Sequence, residues 1–172
     1  MKKTEKNLKD AFAGESQARN KYTYFAKVAQ KEGHHGVAAI FEETALNEMR
    51  HAKDEFLLLG GLGDTVSNLK AAISGEDYEV KKMYPTMAKE AEEEGNKEAA
   101  KLFKQIAKIE EHHRDRFQRL LDLLEAEKLY EREEAIDWKC NVCGHIHHGK
   151  KAPGKCPTCG HPQGHFLPSD IF

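Results

Sequence analysis

The sequence predicts an all-α four-helix bundle followed by a small cysteine module, and three observations predict it. Four long stretches of helical periodicity are separated by glycine. Their apolar seams are broken at one level by carboxylates and histidines, and all four cysteines lie in two tight pairs after residue 139. At 172 residues, with a formal net charge of -2 and a pI near 6.6, the chain is one ordinary domain with a small appendage. That balance gives no reason to expect nucleic acid or an anionic membrane as partner. No apolar run approaches a membrane span, and the charged start at Lys2, Lys3 and Lys6 is no signal-peptide core, so the cytoplasm is the expected compartment.

The first helix is expected from about Thr4, as N-cap, to Gly33, and the second from about Gly36 to Gly60-Gly61. The third is expected from Thr65 or Ser67 to Gly95, with a kink at Pro85, and the fourth from Asn96 to about Glu131. Short first and third connections make antiparallel hairpins of helices one and two and of helices three and four. Residues 1–134 are expected to form the bundle and 135–172 the module.

The hairpins read as copies. The constant offset that carries Gly33 to Gly95 also lays Tyr22 on Tyr84, Phe41 on Phe103, Glu48 on Glu110 and His51 on His113. Gly14-Glu15 meets Gly75-Glu76 only with a one-residue slip, which one extra residue in a helix absorbs.

The fourth helix places Ala99, Phe103, Ile106, Glu110, His113, Phe117, Leu120 and Leu124 on one seam. Glu110 and His113 thus stand where leucines belong, as Glu15 does among Leu8, Ala11, Ala18, Tyr22 and Phe25. An unpaired inward charge costs several kcal/mol, so something must compensate it. Counted from the turns at His34 and Gly95, Glu15, Glu48, His51, Glu76, Glu79, Glu110 and His113 all lie roughly four to five helical turns away, at one level of the bundle. Glu90 and Glu93 repeat the three-residue spacing near the end of the bundle and read as a solvated acidic stretch. A surface position or a salt bridge explains any single pair. It does not explain seven groups at one level without a lysine, whereas two divalent ions do. Carboxylates and imidazoles without thiolates suit iron or manganese in a ferritin-like dimetal arrangement. Glu79 is one carboxylate beyond the minimal set, so His51 and Glu79 are expected to exchange as ligands on oxidation.

Cys140-Asn-Val-Cys143-Gly and Cys156-Pro-Thr-Cys159-Gly outline one tetrahedral thiolate site, for which zinc and iron are both candidates. Trp138, Ile146, Phe166 and Phe172 are expected to form its small core. His145, His147, His148, His161 and His165 lie among the cysteines but are expected as surface or hydrogen-bonding residues rather than ligands, because four thiolates already complete the site.

Phe12 through Tyr22, Glu48-Met-Arg-His51, Met83-Tyr-Pro85, Glu110-Glu-His-His113 and the two cysteine pairs together resemble the rubrerythrin family over essentially the whole chain. The resemblance implies a ferritin-like di-iron domain followed by a rubredoxin-like Fe(Cys)4 domain, with two iron ions in the first and one in the second. It implies Glu15, Glu48, His51, Glu76, Glu79, Glu110 and His113 as di-iron ligands and Cys140, Cys143, Cys156 and Cys159 as ligands of the third ion. Tyr22 and Tyr84 match family tyrosines that hydrogen-bond around the centre. The implied activity is a non-haem peroxidase that reduces hydrogen peroxide in oxidative stress defence. Electrons come from rubredoxin or an NAD(P)H-dependent reductase, since the chain has no Gly-x-Gly-x-x-Gly fingerprint of its own. A homodimer or higher oligomer is expected, and the link from Gly60 to Ser67 looks shorter than in some relatives. The rivals are a ferroxidase or iron-storage protein and a non-enzymatic bundle with a structural zinc ribbon.

Overall fold

The computed structural model describes residues 2–171, so Phe172 lies outside it. The chain forms two compact units, Met1–Asp64 and Thr65–Phe172.

The first unit is the hairpin of α1 (Lys3–Lys31) and α2 (His35–Leu58). The first helix begins one residue before the expected cap, and Lys2 makes no side-chain capping bond. Gly33 has φ +82°, and the amide of His34 donates to the Ala29 carbonyl at 2.8 Å, closing α1. The second unit repeats this closure at the matching place: Gly95 has φ +78° and the Asn96 amide donates to Ala91 at 2.8 Å. A positive φ at both places is the left-handed helix stop that glycine makes without steric cost.

In the second unit, α3 (Thr65–Tyr78), a π-helical turn (Glu79–Met83) and α4 (Tyr84–Glu93) form one continuous arm that packs against α5 (Lys97–Glu125). The π turn resolves the slip in the repeat. Tyr22 lies seven positions after Glu15, but Tyr84 lies eight after Glu76, and the extra residue falls where the helix widens. Pro85, which has no amide to donate, opens the next helix at its first turn.

Helix α5 ends at Glu125, short of the expected Glu131. Glu127 takes φ +58° and the Lys128 amide donates to Leu123 at 2.8 Å. This is the usual left-handed stop with glutamate in glycine's place, so its ordinary marker is missing. At the other end, Asn96 caps the helix by accepting from the Ala99 amide at 3.1 Å.

Strands β1 (Glu131–Cys140), β2 (Ile146–Lys151) and β3 (Phe166–Pro168) form an antiparallel sheet in the order β2-β1-β3. Its core is Trp138, Cys140, Ala152, Cys156 and Phe166, with Tyr130 and Ile136 packed against it. Ile146, expected inside, is 58% exposed. It pairs with Lys139, whereas His147 pairs with Trp138, so strand alternation turns Ile146 to the other face.

Asp170 ties the module to α5. Its carboxylate accepts from Arg132 Nε at 2.8 Å and Arg132 Nη2 at 3.2 Å, and from Arg119 Nη2 at 2.5 Å. Burial pushes the carboxyl up, but the Arg132 bonds outweigh it and hold it below the usual aspartate range. A depressed carboxyl adds stability above its unfolded pKa of about 4 and loses it as pH falls through the folded value. Asp170→Asn is expected to speed hydrogen exchange at β3 roughly tenfold at neutral pH. The difference from wild type should shrink in acid.

The fully buried apolar residues of the helices, among those described, are alanines apart from Leu121. None of the eight residues of the expected α5 seam is fully buried. Each hairpin therefore presents one layer where a helical domain needs two.

Candidate metal centres

Each helical unit gathers one matching set of donors. In the first, Glu15 of α1 meets Glu48 and His51 of α2, the last two one turn apart on the same face. His51 Nδ1 lies 2.9 Å from Glu48 Oε2 and 3.9 Å from Glu15 Oε1. In the second, Glu76 of α3 meets Glu110 and His113 of α5, with His113 Nδ1 2.5 Å from Glu110 Oε2 and 4.0 Å from Glu76 Oε2. Within each set one donor atom per residue falls inside a 4.8 Å cluster. Both sets are two carboxylates and one imidazole, placed by the same hairpin geometry.

Their electrostatics call for a cation. A proton shared with Glu48, then burial, raise the Glu15 carboxyl. Burial first, then the Glu110 charge, raise Glu76. Like-charged carboxylates this close favour holding a proton, and a divalent ion would displace it. Metal-free protein should therefore lose thermal stability as pH rises above the ordinary carboxylate range, because the folded state binds more protons there than the unfolded one. Iron-loaded protein should show the opposite slope from about pH 5 to 7, since metal needs the ionised carboxylates. Calorimetry of both forms across that range checks the sign.

Glu79 opens the π turn and stands outside both donor clusters, while its charge acts on Glu76 and Tyr84. Tyr22 packs among Phe25 and Phe41, and Tyr84 against Phe103, at repeat-related places. Burial and then the charges of Glu79, Glu110 and Glu76 raise the Tyr84 phenol, which stays protonated. Sequence reading missed Glu55, whose Oε2 is buried without a hydrogen-bond partner and whose charge raises Glu15. Its place, seven positions past Glu48 and four past His51, was the available signal.

The four cysteines converge as well. Cys140 and Cys159 sulfurs are 3.7 Å apart, as are those of Cys143 and Cys156. A tetrahedron with metal–sulfur bonds of about 2.3 Å has edges of about 3.8 Å. The two loops are built alike. The Gly144 amide donates to Cys140 O and the Gly160 amide to Cys156 O, both at 2.9 Å, with φ of +79° and +76° at the glycines. Backbone amides of Cys143 and Val142 lower the Cys140 thiol. Burial raises Cys156, but the amides of Cys159 and Thr158 outweigh it and bring it to about 7. The His161 amide favours a thiolate at Cys159, yet burial and the three neighbouring sulfurs push it up to about 12. Four thiolates can coexist here only around a cation.

None of the five histidines among the cysteines joins the cluster. His145 pairs with Thr158, His165 with Asn141 and His148 with Asp137, the hydrogen-bonding roles expected of them.

The profile of the rubrerythrin family matches residues 6–121, and that of the rubredoxin-like domain of rubrerythrin matches residues 138–167. The chain belongs to the rubrerythrin family. Over 179 residues it is 48% identical to the rubrerythrin of Porphyromonas gingivalis, covering 96% of this chain and 90% of that one. Rubrerythrin-1 of Clostridium acetobutylicum is 46% identical over 181 residues, with 95% and 93% covered. Among solved structures, nigerythrin in a partially reduced state is 32% identical over 98% of this chain and 87% of that one, with a TM-score of 0.38. As a rubrerythrin the chain combines a ferritin-like four-helix class with a rubredoxin-like domain of four cysteines, and its cofactors are iron. It is an oxidoreductase-type protein that works with redox partners. No helix among the described residues is long and apolar enough to cross a membrane.

Proposed function

We propose that the chain is a non-haem di-iron peroxidase that reduces hydrogen peroxide to water in oxidative stress defence. The observation that carries this reading is the pairing of two identical carboxylate–imidazole trios with a four-thiolate site on one chain. The trios are taken as the two halves of one centre in a bundle spanning 1–134, and the thiolate site of 135–172 as its electron relay.

Iron held there would supply two electrons and Lewis acidity toward the O–O bond, in the balance H2O2 + 2 e⁻ + 2 H⁺ → 2 H2O. The chain's own residues supply the rest. Glu15, Glu48, His51, Glu76, Glu110 and His113 would hold the ions, with Glu79 as the additional carboxylate. Tyr84, kept protonated by burial and by neighbouring carboxylates, would have a phenol hydrogen to donate to the substrate peroxide, and Tyr22 stands at the repeat-related place in the other hairpin. Cys140, Cys143, Cys156 and Cys159 hold the relaying ion.

Four cysteines gathered as thiolate ligands rather than paired as disulfides fit a reducing compartment, and we place the protein in the cytoplasm. The electron donor is a rubredoxin or an NAD(P)H-dependent reductase. The thiolate site also sets this reading apart from a ferroxidase, which needs no such relay.

The test is peroxide consumption by iron-loaded protein supplied with reduced rubredoxin. Donor oxidation at two electrons per peroxide is expected, with the visible Fe–thiolate bands bleaching and returning in step. Iron uptake with oxygen but no peroxide-linked donor oxidation would favour the ferroxidase reading.

A further inference from the structure

We propose that His145 and Thr158 form a brace between the two cysteine loops that sets how readily the iron of the module accepts an electron. His145 is then a positioning residue for the thiolate site, and the inference rests on the reading of that site as the electron relay.

The brace is one bond that breaks the symmetry of the module. The two loops, 140–145 and 156–161, follow one plan. The Cys140 amide donates to His145 O and the Cys156 amide to His161 O, both at 2.8 Å. The sulfur of each first cysteine accepts from the amide two positions on, Val142 for Cys140 and Thr158 for Cys156. There the copies part. Thr158 carries a hydroxyl where Val142 carries a methyl group, and His145 Nδ1 lies 3.1 Å from Thr158 Oγ1, in hydrogen-bonding reach. The matching ring of His161 packs edge-on against His165 instead, with centroids 5.0 Å apart. His165 in turn ties the first loop at Asn141, 3.1 Å away, which is not the residue whose amide faces the sulfur. His145 thus holds the first loop through its carbonyl and the second through its ring.

The place of this bond gives it a chemical consequence. Reduction adds one electron from an external donor to the ion, ferric to ferrous, with no bond formed or broken and no proton taken up. Negative charge on the four sulfurs grows, so an amide aimed at a sulfur stabilises the reduced state more than the oxidised one. Cys156 is 2% exposed, so water cannot replace an amide that turns away from it. A Thr158 side chain pinned by His145 keeps that amide aimed, whereas a free one lets the loop rotate. Neither residue belongs to the module core; Thr158 is exposed and His145 half-buried. The brace can therefore be removed without opening the interior, and it acts on electron affinity rather than on packing.

The test compares full-length, iron-loaded Thr158→Val, His145→Phe, the double variant and Thr158→Ser with wild type. The visible Fe–thiolate bands are read at equilibrium with a mediator dye of fixed potential, with no peroxide and no protein donor. The equilibrium constant for reduction should fall about threefold in Thr158→Val and in His145→Phe, in keeping with the loss of one hydrogen bond. The double variant should show the same factor and not its square, because the two residues make one bond. Thr158→Ser keeps a hydroxyl and should match wild type. If valine at 158 costs the module its iron, His145→Phe and Thr158→Ser still decide the outcome. A wild-type equilibrium in His145→Phe, or effects that multiply in the double variant, overturns the brace. Hydrogen exchange gives a readout that needs no iron. In zinc-loaded protein the Thr158 amide should exchange about threefold faster in His145→Phe, and an unchanged rate overturns the proposal as well. The relay reading fails by a different result: wild-type bands that stay unbleached through peroxide turnover overturn it, whatever the equilibria of the variants.

Discussion

In Glu110→Ala, iron content is expected to fall from about three ions per chain to about one, and peroxide-dependent turnover by two orders of magnitude or more. Glu110 is half-buried on the α5 seam and contacts His113 at 2.5 Å, so its loss removes a proposed carboxylate ligand and the group that orients the imidazole. The surviving ion should be the one in the cysteine module, whose residues lie elsewhere on the chain, and its visible bands should persist. Stability sorts this loss from simple misfolding. Glu110 is a charge that raises the Glu76 carboxyl, so removing it should leave the metal-free protein as stable as wild type or more so. What disappears is the extra stabilisation on adding ferrous iron, which follows ligand binding to the folded state. A variant whose metal-free form melts well below wild type would mark Glu110 as a packing residue.

Cys156→Ser is expected to unfold the module while leaving the helices intact. Cys156 is 2% exposed and belongs to the module core with Trp138 and Phe166. That core is too small to stand without its metal, and four-ligand metal sites contribute on the order of 10 kcal/mol to folding in comparable small domains. Trp138 makes the outcome simple to read, because it is the chain's single tryptophan and is 0% exposed. Its emission should shift to the red and become quenchable by iodide, with helical circular dichroism nearly unchanged. Peroxide should still oxidise the di-iron centre once, but re-reduction by external donor should stop. Retained colour and a buried Trp138 would show that three sulfurs suffice.

Much of this was legible in the sequence where one residue type has one physical use. Gly33 and Gly95 mark helix ends because the left-handed stop costs glycine nothing, and both hairpins turn there. The two trios were legible because ionisable groups in an apolar seam are expensive, and depth from the turns separated them from Glu90 and Glu93. The slip at Glu76 signalled an added residue without saying where it sat; the π turn at Glu79–Met83 holds it. Other features carry no such mark. The end of α5 depends on Glu127 accepting a conformation glutamate rarely adopts. The exposure of Ile146 follows from strand register, and the Arg132–Asp170 clamp joins distant parts of the sequence through folding alone. Glu55 looked like one more charge on a charged helix.

The added residue of the third helix also bears on ancestry. Two hairpins that coincide under one fixed offset are the trace of one hairpin duplicated and joined head to tail. The two copies have since diverged beside their matching trios. By the slipped register Glu79 corresponds to Ala18, so one half has gained a carboxylate, and a widened turn to carry it, where the other keeps a methyl group. The two halves therefore share their trios and differ in what stands beside them.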